Sequence, residues 1–270
     1  MGLKTKKPIT PSQRQLVLLS RENLRKKPMI KKLIKGIQNS SGRNNSGKIT
    51  VKHKGGGHKK KYRKLDFFRT NPSTGIICSI EYDPNRSANI AAVFDTHTNT
   101  FSYITAPKNI KIGDIVKSGP NAETNIGHSL PISKIPVGSY IHNISPKSKV
   151  PAQISRSAGT FSQLTEKTLE YAKIELSSGE QRLISVKCYA TIGIVSNELV
   201  FLTRLGKAGH SRWLNKRPTV RGVAMNPIDH PHGGGEGKKS GMGRTPWGKP
   251  TKGGKTSKTR NKLIIKNANG

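Results

Sequence analysis

The sequence predicts a mainly β protein: two small barrels in series, flanked by long basic extensions at both ends. Short apolar or alternating runs recur through residues 66–206 at the spacing of roughly 8–12 residues expected of barrels, each bounded by turn formers. Stretches with helical periodicity are scarce over the same span. The charge is polarised along the chain. Residues 1–65 hold 20 Lys and Arg and one acid, residues 207–270 hold 15 and two, and the 141 residues between them hold only 14 and 11. A near-neutral body with two cationic arms suits a chain that folds once and reaches into a polyanion, with nucleic acid the leading candidate.

The elements follow in chain order. Ile30, Leu33, Ile34 and Ile37 are spaced for one face of a short helix, interleaved with Lys31, Lys32 and Lys35, and are expected to lie on RNA or on the first barrel. Strands are expected at 75–83, 89–95, 100–105 and 110–116, with Asn71-Pro72, Asp83-Pro84-Asn85 and Gly113-Asp114 turning the chain. A boundary falls near residues 125–136, where Pro131 and Pro136 interrupt the pattern. The second set follows at 138–144, 160–164, 169–176, 181–186 and 189–195, with Ser177-Ser178-Gly179-Glu180 as a hairpin turn. Aromatics make up only 5% of the chain, so the cores must be aliphatic. Cys78 and Cys188 both sit in apolar runs. Two isolated cysteines without a CxxC partner make neither a zinc site nor a disulfide framework, so both are expected as buried packing residues in a reducing compartment.

Either arm alone repels itself and has too little apolar surface to offset its ordering entropy, so its order should depend on a partner. Phosphates meet that need, because binding through many Lys and Arg releases counterions and makes affinity steeply salt dependent. A membrane surface fits worse: the arms lack a long amphipathic helix with aromatic anchors, and no run of about 18 apolar residues occurs.

Four arm motifs carry the chemistry. In SGRNNSGKITVKHKGGGHKKKYRK (41–64), Gly55, Gly56 and Gly57 let the backbone approach phosphate or sugar. Arg43, Lys52, His53, Lys54, His58, Lys59, Lys60 and Arg63 supply charge, and Tyr62 can stack on a base. In LGKAGHSRWLNKRPTVRG (205–222), Lys207, Arg212, Lys216, Arg217 and Arg221 alternate with Trp213, which either stacks on RNA or plugs the second barrel. In MNPIDHPHGGGEG (225–237), Asp229, His230, His232 and Glu236 lie close together. Two His separated by one Pro project divergently and no further His or Cys stands at a ligand spacing, so the protein alone is expected to hold no metal. His230 as a base oriented by Asp229 lacks a nearby nucleophile. The favoured account is a rigid loop in which Pro227 and Pro231 fix φ and Asp229 and Glu236 bind either a water or a hydrated Mg²⁺ shared with phosphates. Finally, Lys238 and RTPWGKPTKGGKTSKTRNK (244–262) offer Arg244, Trp247, Lys249 and Lys252 among small residues, a composition that suits a tight phosphate-lined channel.

These motifs, together with IEYDPNRSANIA, which contains Arg86, and RSAGT, which begins at Arg156, resemble the universal large-subunit ribosomal protein two family over about residues 7–262. The resemblance implies an OB-like barrel at 62–128 and an SH3-like barrel at 129–204, with basic extensions at 1–61 and 205–270. It implies contact of those extensions with large-subunit rRNA near the peptidyl transferase centre, with Arg86 and Arg156 among the RNA contacts. The loop of Asn226, Asp229, His230, His232, Gly233, Gly234, Gly235 and Glu236 would lie closest to that centre. The catalyst there is RNA, so the resemblance implies no enzyme and no cofactor, apart from Mg²⁺ shared with rRNA near Asp229 or Glu236. It implies other ribosomal proteins as partners, and the small subunit through an intersubunit bridge, with support of subunit association and tRNA binding. The chain departs from the family pattern at residues 147–152, at His128 in place of Asn, and in a shortened stretch between Gly237 and Thr245. The opening KPITPSQRQL resembles alphaproteobacterial and mitochondrially encoded members. With heavy use of Ile, Lys and Asn, and a family-like body starting by Lys7 that leaves no room for a presequence, it favours a mitochondrial ribosome over a bacterial or plastid one. On chemistry alone, a DNA-compacting architectural protein and an RNA-modifying enzyme using Asp229 and His230 remain as alternatives.

Overall fold

The computed structural model describes residues 2–236, 241–252 and 261–267. Contacts group the chain into two compact units, Met1–Gln38 with Lys59–Ala208 and Lys262–Gly270, and Asn39–His58 with Gly209–Asn261.

The first unit is mainly β, with short 3₁₀ turns between strands. Its strands are β1 (Leu3–Thr5), β2 (Val17–Leu19), β3 (Ile34–Gly36), β4 (Lys61–Arg63), β5 (Ser73–Glu81), β6 (Ile90–Asp95), β7 (Thr100–Thr105), β8 (Ile115–Ser118), β9 (Ser129–Pro131), β10 (Tyr140–His142), β11 (Ser162–Lys167), β12 (Tyr171–Leu176), β13 (Gln181–Ser185), β14 (Tyr189–Ile192) and β15 (Ile264–Lys266). Two two-stranded ribbons, β1-β2 and β3-β4, accompany one sheet of order β15-β13-β12-β11-β10-β14-β9-β8-β5-β6-β7. The two barrel layers meet in that sheet at a single parallel pair, Ser118 opposite Ser129. Eight of the nine strands expected in the body form with ends shifted by a few residues, while of residues 110–116 only Ile115 and Val116 enter β8; the hairpin turn closes with Gly179 at φ 82° and Leu176 N–H donating to the Glu180 carbonyl.

Both cores are aliphatic. Leu130, Ile132, Ile135, Ile141, Ile144, Leu164 and Ile174 are fully buried in the second, each contributing about 1.5–3 kcal/mol by leaving water. In the first, β6 is buried on both faces. Ala91 and Val93 meet Ile77, Ile104 and Val116 on one side, while Ile90 and Ala92 meet Leu65 and Tyr103 on the other, with Met29, Ile30, Leu33 and Phe67 packed over them. Cys188 is buried as expected, but Cys78 is half-exposed. The β5 register shifts between Ile77 and Ser79, so Cys78 sits at a bulge between two buried neighbours and is itself only half-buried.

The helix expected at residues 30–37 does not form. Lys31–Leu33 make one 3₁₀ turn and Ile34–Gly36 leave as β3, paired with Arg63, Tyr62 and Lys61. Tertiary partners override a weak local preference here. The buried Glu81 carboxylate accepts from Met29 N–H (2.8 Å), Ser79 Oγ (3.0 Å) and Tyr103 OH (3.0 Å), and Tyr103 OH in turn accepts from Ile30 N–H (3.0 Å). This clasp fixes the strap of residues 29–33 on the outer face of β6, and burial pushes the Tyr103 hydroxyl up to about 12. Between the layers, the buried Arg69 donates from its guanidinium to the Gly127 carbonyl (2.9 Å), and burial lowers it to about 10. His142 is buried beside the Gly193 carbonyl, 2.9 Å from Nδ1. Burial pulls its imidazole down to about 4, so it is neutral and donates through Nδ1.

The second unit has little regular structure. Its segments cross where Lys54 bridges Lys216, with Gly55 N–H donating to Asn215, His58 N–H to Trp213 and Arg217 N–H to the His53 carbonyl. The six-residue helix α1 (Ala208–Trp213), too short to leave a periodic signal, leads into this crossing.

Candidate nucleic-acid interface

Gly42 turns at φ 75° and receives Thr50 and Val51 N–H on its carbonyl, folding residues 42–51 into a small loop. Inside it the Asn44 side chain accepts from Ser46 N–H and Lys48 N–H. Beyond the loop, Lys52, His53 and Lys54 lie exposed, and His53 Nδ1 stands 3.0 Å from the Pro218 carbonyl. The glycine run has an intramolecular reason the sequence did not reveal. A Cβ on Gly57 would stand 2.7–2.9 Å from Asn215, and one on Gly56 2.9 Å from the Arg212 guanidinium. Gly55 is buried. Close approach of the chain to itself therefore uses these glycines, and the cations around them are what face outward.

On the crossing segment, Lys216, Arg217 and Arg221 are exposed, as are Arg43, His58, Lys59 and Lys207, while Lys60 and Arg212 are half-buried. Trp213 is 54% exposed beside His210 (ring centroids 5.5 Å apart), so it plugs no core. Trp247 tops a tight turn in which Thr245 N–H donates to the Lys249 carbonyl and Arg244 bridges Pro250. Its ring is 75% exposed, with Lys52 Nζ 5.8 Å from its centroid. Lys249 and Lys252 are exposed nearby in sequence, and Lys238 lies outside the described residues.

The loop at 226–236 is held by its own backbone. The Asn226 carbonyl accepts from Asp229 and His230 N–H, and Gly233 N–H donates to the His230 carbonyl. His230 is buried, and its Nδ1 accepts from His232 N–H (3.0 Å), which places its proton on Nε2. His232 stacks edge-on against it at 4.8 Å, and its Nε2 accepts from Arg244 N–H (3.0 Å). A Cβ on Gly222 would strike the His230 ring at 2.4 Å and one on Gly233 the Asn226 carbonyl at 2.3 Å, so both positions require glycine. Asp229 and Glu236 are exposed, and no described residue engages either carboxylate. His230 is thus a packing residue whose Nδ1 is already engaged, and Asp229 does not orient it. Among the described residues no cluster of His, Cys, Asp or Glu is arranged to hold a metal.

A second basic feature lies in the first unit. Tyr62, Phe67, Arg86 and Arg156 line a cleft of about 650 Å³ together with Ser87, Ser155 and Ser157. Asp83, fully buried, accepts from Arg86 Nε (2.7 Å) and from Asn85 N–H (2.9 Å), which holds the Arg86 guanidinium 5.6 Å from the Phe67 ring and 6.0 Å from that of Tyr62. Arg156 lies 4.6 Å over the Phe67 ring. Arg63 differs from the other cations of its motif: it is buried, 3.9 Å from Asp83. Phe67 and Asn215 were not singled out from sequence, and Asp83 was read only as part of the Asp83-Pro84-Asn85 turn. At the departures from the family pattern, His128 is buried with Nδ1 3.0 Å from the Glu123 carbonyl and Nε2 3.2 Å from that of Ile115, and Ala152 N–H donates to the Phe67 carbonyl.

Barrel cores with cationic loops, exposed tryptophans and an arginine-aromatic cleft define an RNA-binding protein of the β class. The family model described as the RNA binding N-terminal domain of ribosomal proteins L2 matches residues 30–118, and the one for their C-terminal domain matches residues 125–248. The chain belongs to the ribosomal protein L2 family. It is 52% identical over 269 residues to the large ribosomal subunit protein uL2 of Wolbachia sp. subsp. Brugia malayi (strain TRS), covering 98% of this chain and 97% of the relative. It is 50% identical over 275 residues to that of Rhodospirillum centenum, covering 98% of each, and 52% identical over 272 residues to that of Rickettsia peacockii, covering 98% and 99%. These matches lend no support to the DNA-compacting or RNA-modifying alternatives.

Proposed function

We propose that the second unit is the surface this chain inserts into folded large-subunit rRNA, close to the peptidyl transferase centre. The chain is a structural constituent of the large ribosomal subunit that binds rRNA, and it is not an enzyme. The observation that carries the finer reading is the distribution of apolar burial. Among the described residues all three buried apolar clusters lie in the first unit, whereas Asn39–His58 with Gly209–Asn261 hold 16 Lys and Arg against two acids. A segment with that composition gains its stability from phosphate. Residues 62–128 and 129–204 then act as the two barrels that carry the extensions. Arg43, Lys52, Lys54, Arg217 and Arg221 contact phosphates, Trp213 and Trp247 stack on bases, and the Arg86–Arg156 cleft takes a further RNA segment. The loop from Asn226 to Glu236 lies nearest the reaction centre, where its rigidity, not proton transfer, supports tRNA binding and subunit association through an intersubunit bridge. Asp229 and Glu236 offer oxygens to a hydrated Mg²⁺ shared with rRNA. The opening KPITPSQRQL favours the mitochondrial ribosome as the site of action.

The test is replacement of Arg212, Arg217 and Arg221 together by Ala, with binding to a large-subunit rRNA fragment measured across salt concentrations. If two or three of these contact phosphate, the slope of log K against log salt falls by roughly 2–3. An unchanged slope removes them as contacts.

A further inference from the structure

The outer face of the sheet β8-β5-β6-β7 is only half roofed. Ile90 and Ala92 lie under the strap of residues 29–33, and Phe94, next on the same side of β6 by alternation, lies beyond it. There Ile115, Ile76, Phe94 and Phe101 stand abreast across four strands, each paired in register with the next. Ile115 is 54%, Ile76 38% and Phe101 43% exposed, and the two Phe rings are 4.9 Å apart. With neighbouring strands about 4.8 Å apart, the row runs roughly 14 Å. A contiguous exposed apolar row of this length marks an interaction surface.

Its charge argues against phosphate as the occupant. Residues 73–118 hold four acids (Glu81, Asp83, Asp95, Asp114) and four cations (Arg86, Lys108, Lys111, Lys117), neutral within a chain of net +35. Three of those cations are already paired, Arg86 with Asp83, Lys108 with Glu198 and Lys117 with Glu123. The adjacent half of the face shows what covers such a surface: a polypeptide whose apolar Met29, Ile30 and Leu33 flank Lys31 and Lys32.

We propose that the row Ile115-Ile76-Phe94-Phe101 docks a segment of a second polypeptide that carries apolar side chains together with Lys or Arg, continuing the roof that the strap begins. The proposal rests on the ribosomal reading, because the second polypeptide is a neighbour in the assembled subunit. The experiment places a photoreactive benzoylphenylalanine at Phe101, or separately at Ile115, in the full chain assembled into large subunits, with a third probe at Trp213. Expected is one peptide of one neighbouring protein marked from both Phe101 and Ile115, carrying apolar and basic side chains, with the yield from Ile115 cut about tenfold by Phe101→Ser. Ile76→Ser, on the opposite side of Phe94, should act alike, with the thermal midpoint of the free protein checking that both variants fold. Adducts to RNA, to unrelated peptides, or to nothing would overturn the proposal. The Trp213 probe separates the two readings: its failure to mark RNA strikes the RNA interface, whereas docking is decided by Phe101 and Ile115.

Discussion

Replacing Glu81 by Ala should free the strap of residues 29–33 from the first barrel. The carboxylate accepts three hydrogen bonds, from Met29 N–H, Ser79 Oγ and Tyr103 OH. Bonds to a charged group contribute about 1.5–3 kcal/mol each, while the two hydroxyls can turn elsewhere and the carboxylate no longer needs burying. A net loss of about 3 kcal/mol remains, centred on the half-buried Met29 N–H that loses its acceptor. At 1.4 kcal/mol per decade this raises the open population of the strap about 100-fold. The assay is limited trypsin digestion of the free protein, following cuts at Lys31 and Lys32 by mass spectrometry against the exposed Lys52 as an internal standard. When cleavage tracks the open population, the ratio should rise by the same factor of about 100. Glu81→Gln keeps one acceptor oxygen and should give about a tenfold rise. An unchanged ratio in Glu81→Ala would refute the clasp and leave apolar packing alone to hold the strap.

Gly57→Ala should loosen the second unit by about 1–3 kcal/mol, because its Cβ would meet Asn215 at 2.7–2.9 Å; exchange of the His58 amide, bonded to Trp213, should speed accordingly. Gly36→Ala, with nothing within 4 Å, is the matched control and should change little. Acid should weaken the body through His142. Its folded value of about 4 lies below the ordinary 6.5, so as pH falls from 6.5 to 4 the unfolded chain takes up a proton that the folded chain refuses. About 3 kcal/mol is lost across that window, and the difference in denaturant stability between wild type and His142→Asn at pH 7 and pH 4.5 should expose most of it.

The strands of the body were legible because each is a short apolar run closed by Pro, Gly or Asn. What governs Ile30 to Ile37 was not: the same spacing that suits a helix face also suits a strap, and the choice is made by Glu81 and Tyr103, some 50 and 70 residues away. The cationic motifs showed themselves by charge alone. The purpose of the Gly55–Gly57 run did not, since its neighbour Asn215 is remote in sequence. His230 drew notice as an acid–base candidate, but its burial and the bond from His232 N–H arise from how the loop folds on itself. Arg63 carried the same signal as its neighbours yet is buried, 3.9 Å from Asp83, a partner 20 residues away.

The second unit joins residues 39–58 to a segment that begins at residue 209. During synthesis at roughly 5–20 residues per second, the earlier piece emerges on the order of 10–30 seconds before the later one exists. For that interval the glycine loop has no protein surface to close upon, and its lysines are offered to any anion nearby. The N-terminal strap can dock as soon as β5 to β7 have emerged, so the nascent chain passes through a stage with a finished barrel and an unmated cationic loop.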